Sequence, residues 1–246
     1  MTGPAEPSTD AATIYDAFAQ KYRSYSETKS DYLSAVDRLV CEQLNGRAGV
    51  VLDYGAGDGV RGANLCEQIA PDAFYQADVS NEMIARCRSL GLAKQVFQVQ
   101  DPDWSKDLPP LDTVMCLWNV LGHLPDTQSR RALLSELHAL LRPGGTLIID
   151  VNNRHYVGYG AFKTVWRRII DAVKPDYARG DIRFNWAIDG VDFPASGHFF
   201  TPAEMRDLLQ TAGLTIIKAV AVHYATGDVS ENLTRGQLFF AATKSS

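Results

Sequence analysis

The sequence predicts an α/β fold: a mostly parallel sheet with helices on both faces. Three observations predict it. Near-continuous apolar runs alternate with segments of helical period from Gly49 to Val151, the pattern of strands buried on both faces. A glycine-rich turn, Gly55-Ala56-Gly57-Asp58-Gly59, joins the first run to the helix after it. A carboxylate, Asp78, closes the second run, where neighbouring strands of such a sheet end together.

The elements follow in order. Residues 1–12, rich in Pro, Ser and Thr, read as a flexible N-terminus. A helical pattern opens at Thr13 with Ile14, Tyr15, Phe18, Tyr22 and Tyr25. A second runs from Tyr32 to Leu44 and stops at Asn45-Gly46. Strands are expected at Gly49–Tyr54, Ala73–Ser80, Gln95–Gln100, Leu111–Trp118 and Thr146–Val151. Helices are expected at Val60–Ile69, at Glu82–Leu90 with Ser80 as cap, and from Asp126 or Thr127 onward. Residues 152–198 break the rhythm. They hold one amphipathic helix, Ala161–Val173, with Phe162, Val165, Trp166, Ile169, Ile170 and Val173 on one face, and they read as an insertion over the sheet. Thr201, Pro202 and Glu204 form a capping box for a late helix, and Leu214–Val222 and Gln237–Ala242 read as the last strands.

Composition narrows the function classes. The chain has 246 residues, 46% hydrophobic and 22% charged, with a net charge of −5. That suits one large domain and argues against an extended nucleic-acid footprint, which needs a surplus of Lys and Arg. No apolar run approaches the ~20 residues of a membrane span, and no signal peptide is visible. Cys41, Cys66, Cys87 and Cys116 form neither a CxxC nor a zinc spacing. They read as small hydrophobes in a reducing cytoplasm. No metal site is expected.

Glycines in the turn let a ligand approach the backbone, and Asp78 stands where a carboxylate accepts from both hydroxyls of a ribose. Adenosine-type binding is the leading reading. A nicotinamide site is the rival, although Val60 stands where its third glycine belongs. A tight turn without ligand is the third.

Taken together, these residues resemble the class I S-adenosylmethionine (SAM) dependent methyltransferases. Asp53 with GAGDG, Asp78, Asp101, LRPGGTLIID and HFFTPAEMRDLLQTAGL carry the resemblance in the family's order. CLWNVLGHLPD, the Asp150-x-x-Asn153 pair and the N-terminal Tyr15, Asp16, Ala19 and Tyr22 are similar to glycine and sarcosine N-methyltransferases. Val151 and Asn152 replace those enzymes' His-Arg pair.

The resemblance implies a Rossmann-like seven-stranded sheet with the last strand antiparallel. It implies one domain over 13–246, with 13–46 as a helical lid and 152–198 as a substrate cover. It implies SAM as cofactor, met by Tyr15, Tyr22, Asp53, Gly55, Ala56, Gly57, Asp78, Val79, Met83, Asp101, Pro102, Leu117, Trp118 and Asn119. His123 is the expected base, and Asn153 the group that orients an acceptor. Tyr25, Asn152, Tyr156, Arg179, Arg183 and His198 are expected to line the acceptor site, and an arginine would suit an amino-acid carboxylate. His155, Tyr159, Tyr177, Trp186 and Arg154 are further possibilities. The expected reaction is in-line methyl transfer to a small molecule, an amine or amino acid favoured, releasing S-adenosylhomocysteine. Two alternatives stay open: a SAM-consuming cyclase or lyase releasing methylthioadenosine, and a non-catalytic SAM-sensing or partner protein.

Overall fold

The computed structural model describes residues 10–46, 48–188 and 191–245, with side chains for all of these but 186–188 and 191. Three helices come first: α1 (Ala11–Phe18), α2 (Tyr22–Glu27) and α3 (Ser30–Leu44). Then follow β1 (Val50–Tyr54), α4 (Val60–Ile69), β2 (Ala73–Asp78), α5 (Asn81–Leu90), β3 (Gln95–Gln98), β4 (Leu111–Cys116), α6 (Thr127–Leu140) and β5 (Leu141–Val151). The insertion holds α7 (Ala161–Val173), β6 (Asp181–Ile188) and β7 (Val191–His198). The chain ends with α8 (Pro202–Thr211), β8 (Leu214–Val222), β9 (Val229–Ser230) and β10 (Gln237–Lys244).

The main sheet has the order β3-β2-β1-β4-β5-β10-β8-β9. Strands β1 to β5 are parallel, and β10 runs antiparallel between β5 and β8. The seven expected strands are present, and the two-residue edge strand β9 makes an eighth. Period-two alternation explains the two layers of helices. Leu52, Val114, Ile149 and Phe240 face one way and pack with Leu134 and Leu137 of α6 and Leu208 and Leu209 of α8. Their neighbours Val51, Met115, Ile148 and Phe239 face the other way, onto Val36 and Val40 of α3 and Leu65 and Ile69 of α4. All eight strand side chains are buried.

The caps read from sequence are present. Ser80 Oγ accepts from Met83 N, Asp126 accepts from Ser129 N, and Thr201 and Glu204 close their capping box. Several boundaries differ from expectation, most by the residue or two over which element ends fray. The N-terminal helix starts at Ala11, because Asp10 caps it by accepting from Thr13 N. It also breaks after Phe18, so that Tyr22 and Tyr25 lie on a separate short helix. β5 begins at Leu141 rather than Thr146, since its pairing with β4 continues through a register shift. Residues 1–9 of the expected flexible N-terminus lie outside the described residues.

The insertion is more ordered than its irregular sequence suggests. β6 and β7 pair antiparallel from Asp181↔His198 to Ile188↔Val191, apart from the main sheet. The hairpin packs on the turn after β4 and on α1, above the carboxyl ends of the parallel strands. Among the described residues, no helix is long and apolar enough to cross a membrane.

Asp53 is the penultimate residue of β1, just before the glycine turn, and is buried. Its carboxylate fills the space left by the missing Cβ of Gly62 in α4. Burial pushes its pKa up to about 7, against the pull of Arg61 and a hydrogen bond from Gln76. An ordinary aspartate titrates near 3.9. The folded chain thus holds a proton that the unfolded chain releases, and this contribution is full below about pH 4 and lost as pH rises through about 7. Asp53→Asn, which mimics the protonated acid, is expected to raise the melting temperature at pH 8 by roughly 5 °C and to change it little at pH 4. An equal shift at both pH values would show that Asp53 does not titrate in this range.

Candidate active site

The strand order reverses between β1 and β4, and the carboxyl ends of the parallel strands open there into a cavity of about 460 Å³. Each element sends its end residues inward. Gly55 and Gly57 come from the turn after β1, Asp78 and Val79 from the end of β2, and Val99 from the end of β3. Leu117, Trp118, Val120 and His123 follow β4. Tyr15 and Tyr22 of the N-terminal helices close the opposite side, and Ser196 of β7 reaches the rim.

The turn is tied to the neighbouring strand, with Gly55 N and Ala56 N both donating to Ala77 O. Asp78 accepts from Gly57 N and Ser80 N, each at 2.9 Å. Burial raises its pKa, while those amides and that of Val79 hold it down. An ionised carboxylate offers about four lone-pair sites, so Asp78 keeps acceptor capacity at the cavity wall. Gly57 has φ +57°, and a Cβ there would lie 2.5 Å from the Tyr22 hydroxyl, so the lid ring rests on the turn itself.

The N-terminal helices α1 and α2 are each tethered to the body. Asp16 accepts from Ser80 Oγ at 2.5 Å and from Glu82 N at 3.1 Å, which binds α1 to the start of α5. Arg23 of α2 donates from Nε and Nη2 to Asp58 in the glycine turn.

A second cavity, of about 370 Å³, adjoins the first and shares Tyr15, Tyr22, Trp118 and His123 with it. Its other walls are mostly aromatic or amide: Tyr25, Asn119, Asn152, Tyr159, Phe184, Phe199, Tyr224 and Gln237, with Ile182 and Gly197 between them. Tyr25 stacks on Trp118 at 5.8 Å, and Tyr159 on Phe199 at 5.5 Å. At the junction Tyr15 Oη and His123 Nε2 lie 2.9 Å apart. Burial lowers the His123 pKa to about 4, against a backbone hydrogen bond with Ser196, and burial raises that of Tyr15. Both groups are neutral near pH 7.

The loop after β4 takes an unusual path, since Trp118 and Asn119 both have positive φ, 63° and 62°. Asp150, in the buried end of β5, holds them there. Its Oδ1 accepts from Trp118 N at 2.6 Å, its backbone carbonyl accepts from Asn119 N, and its Oδ2 accepts from Tyr32 of α3 at 2.5 Å. Asn119 Oδ1 in turn accepts from Asn152 N. Tyr32 had no site role in the sequence reading, and Asp150 entered it only as a motif residue of the resemblance. An acid inside the apolar run LIIDV was the available signal.

Several expected site residues lie elsewhere. Asp53, Ala56 and Met83 are buried and not among the residues of the cavity wall, and Asp101 and Pro102 are exposed, so that the segment after β3 contributes Val99 instead. Asn153 does not face an acceptor. Its amide nitrogen donates to Leu233 O and Gly236 O, and its Oδ1 accepts from His155 N, which leaves it a buried backbone brace. His198 is buried between Asp181 and Glu204, and Tyr156 packs on Tyr159 and His223. Arg179 pairs with Asp171 and Asp176, Arg154 and His155 with Asp171, and Arg183 is exposed. Tyr177 lines neither cavity. The side chain of Trp186 lies outside the described residues.

Residues 22–219 match a family model described as a methyltransferase domain. The glycine/sarcosine/dimethylglycine N-methyltransferase of Actinopolyspora halophila is 30% identical over 195 residues, 74% of this chain and 33% of that protein. The chain thus spans about a third of that relative's length. The ubiquinone biosynthesis O-methyltransferase of Coxiella burnetii is 25% identical over 76% of this chain and 72% of its own. The CcbJ methyltransferase structure from Streptomyces caelestis superposes with a TM-score of 0.70 at 15% identity, covering 96% of this chain and 100% of that one. At that identity the likeness is one of fold.

The contact of Tyr22 with the turn yields a prediction. Gly57→Ala is expected to lower stability by about 1–2 kcal/mol from the left-handed backbone alone, with a further loss as Tyr22 is pushed out. In a Tyr22→Ala background only the first part remains. Thermal melts of the four chains measure the difference, and an identical loss in both backgrounds would refute the contact.

Proposed function

The chain belongs to the methyltransferase domain family, whose members use SAM, and from that premise we propose that it methylates a small acceptor bound in the aromatic cavity. The single observation that carries this reading is the pair of adjoining cavities with Tyr15, Tyr22, Trp118 and His123 as common wall. One cavity suits a nucleoside, the other an acceptor.

The first cavity fits SAM on the chemistry of its donors and acceptors. Asp78 retains lone pairs for ribose hydroxyls, and the glycine backbone leaves room at Gly55 and Gly57. Val79, Val99 and Leu117 offer apolar surface for a purine. SAM supplies a methyl group on a cationic sulfur that leaves as a neutral thioether. Tyr15 and Tyr22 present ring faces that favour a cation nearby. The lid 13–46 and the cover 152–198 exclude water and hold the acceptor in line, which is most of the work that such a transfer asks of a protein.

The acceptor we favour differs from an amino acid. No Lys, Arg, Asp or Glu is among the residues that line the second cavity, and Arg179 and Arg183 do not reach it. A free carboxylate would therefore be desolvated there without a cation. Aromatic faces with Asn119, Asn152 and Gln237 suit a flat or partly apolar molecule that presents an amine or a hydroxyl. Neutral His123, hydrogen-bonded to Tyr15, is positioned to take the proton that such a nucleophile releases. Four free thiols suit the cytoplasm.

Incubation with SAM and a pool of amines and phenols is expected to yield S-adenosylhomocysteine and an acceptor one methyl heavier, read by mass spectrometry. Methylthioadenosine formed without acceptor would overturn the reading. Asp78→Asn leaves one acceptor oxygen for two buried amide donors, Gly57 N and Ser80 N, and is expected to weaken SAM binding roughly tenfold to a hundredfold together with a loss of a few degrees in melting temperature. Unchanged affinity would remove Asp78 from the ribose site.

The pH profile tests His123. Since its pKa lies at about 4, kcat is expected to show no ionisation of this group between pH 6 and 7. His123→Asn is expected to lower kcat roughly a hundredfold with SAM affinity retained. A wild-type inflection near 6.5 that this variant abolishes would contradict the buried, neutral state.

A further inference from the structure

Helix α7 is mounted with its polar side inward. Thr164 Oγ1 donates to Tyr156 O, and Asp171, one helical face along, receives Arg154, His155 and Arg179. Those contacts anchor the helix to the body. The apolar stripe therefore points away from the body: Phe162 is 85% exposed and Trp166 59%, with Val165, Ile169 and Val173 beside them. Val157 and Tyr159 extend the stripe, and Tyr159 also lines the second cavity. An exposed apolar face of this extent on a helix is more than scattered surface hydrophobes and marks a surface that meets something.

Charge identifies the occupant. Lys163, Arg167 and Lys174 flank the stripe on one side and Arg168 on the other, while Asp171, the sole acid of the helix, is turned inward and paired. A basic rim therefore borders the stripe on a chain whose net charge is −5. A second copy docking by the same face would set cation rim against cation rim, which disfavours an isologous contact. A surface of anionic headgroups over acyl chains complements both parts at once, with Phe and Trp in the interface and Lys and Arg at the phosphates. We infer that α7 is an interfacial helix that docks this protein on an anionic lipid bilayer. The helix has 13 residues, too few to span, so the docking is flat. The sequence points to no membrane partner, and among the described residues no helix is long and apolar enough to cross one; the inference concerns a helix that lies flat. The docked chain brings the Tyr159 wall of the acceptor cavity towards the lipid.

Co-sedimentation of the full chain with vesicles tests this directly. Binding is expected to vesicles of equal parts phosphatidylglycerol and phosphatidylcholine, not to phosphatidylcholine alone, with release at about 0.5 M salt. Phe162→Ser/Trp166→Ser removes only exposed side chains, is expected to melt as wild type, and stays in the supernatant. Lys163→Glu/Arg167→Glu is expected to bind at least tenfold more weakly. Equal binding to both vesicles, binding to neither, or binding that both double variants retain overturns the inference. So does a solution dimer that Trp166→Ser dissociates, which would assign the face to a second copy. None of these readouts depends on methyl transfer.

Discussion

The carboxylate of Asp150 is the point on which the two cavities depend. It is buried in an apolar strand, where an unpaired charge would be costly. Backbone and hydroxyl donors surround it: Trp118 N and Tyr32 Oη. Those bonds offset the left-handed backbone of Trp118 and Asn119, a conformation that disfavours L side chains by roughly 1–2 kcal/mol per residue. The consequence is positional. Trp118 reaches the wall between the cavities, and Asn119 turns its amide oxygen onto the backbone of Asn152. Because Tyr32 belongs to α3, the same carboxylate also joins the N-terminal helices to the sheet.

The N-terminal helices show how weak and strong contacts divide the work. Arg23–Asp58 is half exposed on the arginine side and contributes little by itself, as surface pairs generally do. Phe18 and Ile14 are buried and supply the apolar hold on the body. Asp16 and Tyr22 set register rather than affinity, the first by accepting from Ser80 and Glu82, the second by resting on Gly57. A polar rim over an apolar anchor places Tyr15 against His123 without a continuous core between them.

Electrostatics separates the two halves of the site. Asp78 gives the first cavity its one buried carboxylate, with backbone amides beside it. The second cavity has amides, hydroxyls and rings, and no Lys, Arg, Asp or Glu among its lining residues. Two arginines of residues 152–198, Arg154 and Arg179, are engaged by Asp171, which fixes the orientation of α7. One ion cluster thereby holds these two cations away from the second cavity and turns an apolar stripe to the outside.

Much of the architecture was legible from local patterns. Alternating apolar runs specified the parallel strands, and Ser80, Asp126 and Thr201 announced helix starts, because period and capping are short-range properties. Gly57 and Asp78 were legible for the same reason: a strand, a turn and the next strand end lie close in sequence and meet at one edge. The roles of Asn153, His198 and Arg179 were not, because each is decided by partners distant in the chain: Leu233 and Gly236, Asp181 and Glu204, Asp171. Periodicity also showed that α7 has an apolar face, but not which way the face points. By itself the sequence determined the sheet, the glycine turn and the carboxylate beside it. Tertiary structure decided which polar groups were consumed by the scaffold and which were left facing a cavity or the outside, since a side chain's hydrogen-bond capacity is finite and goes to whatever the fold brings within about 3 Å.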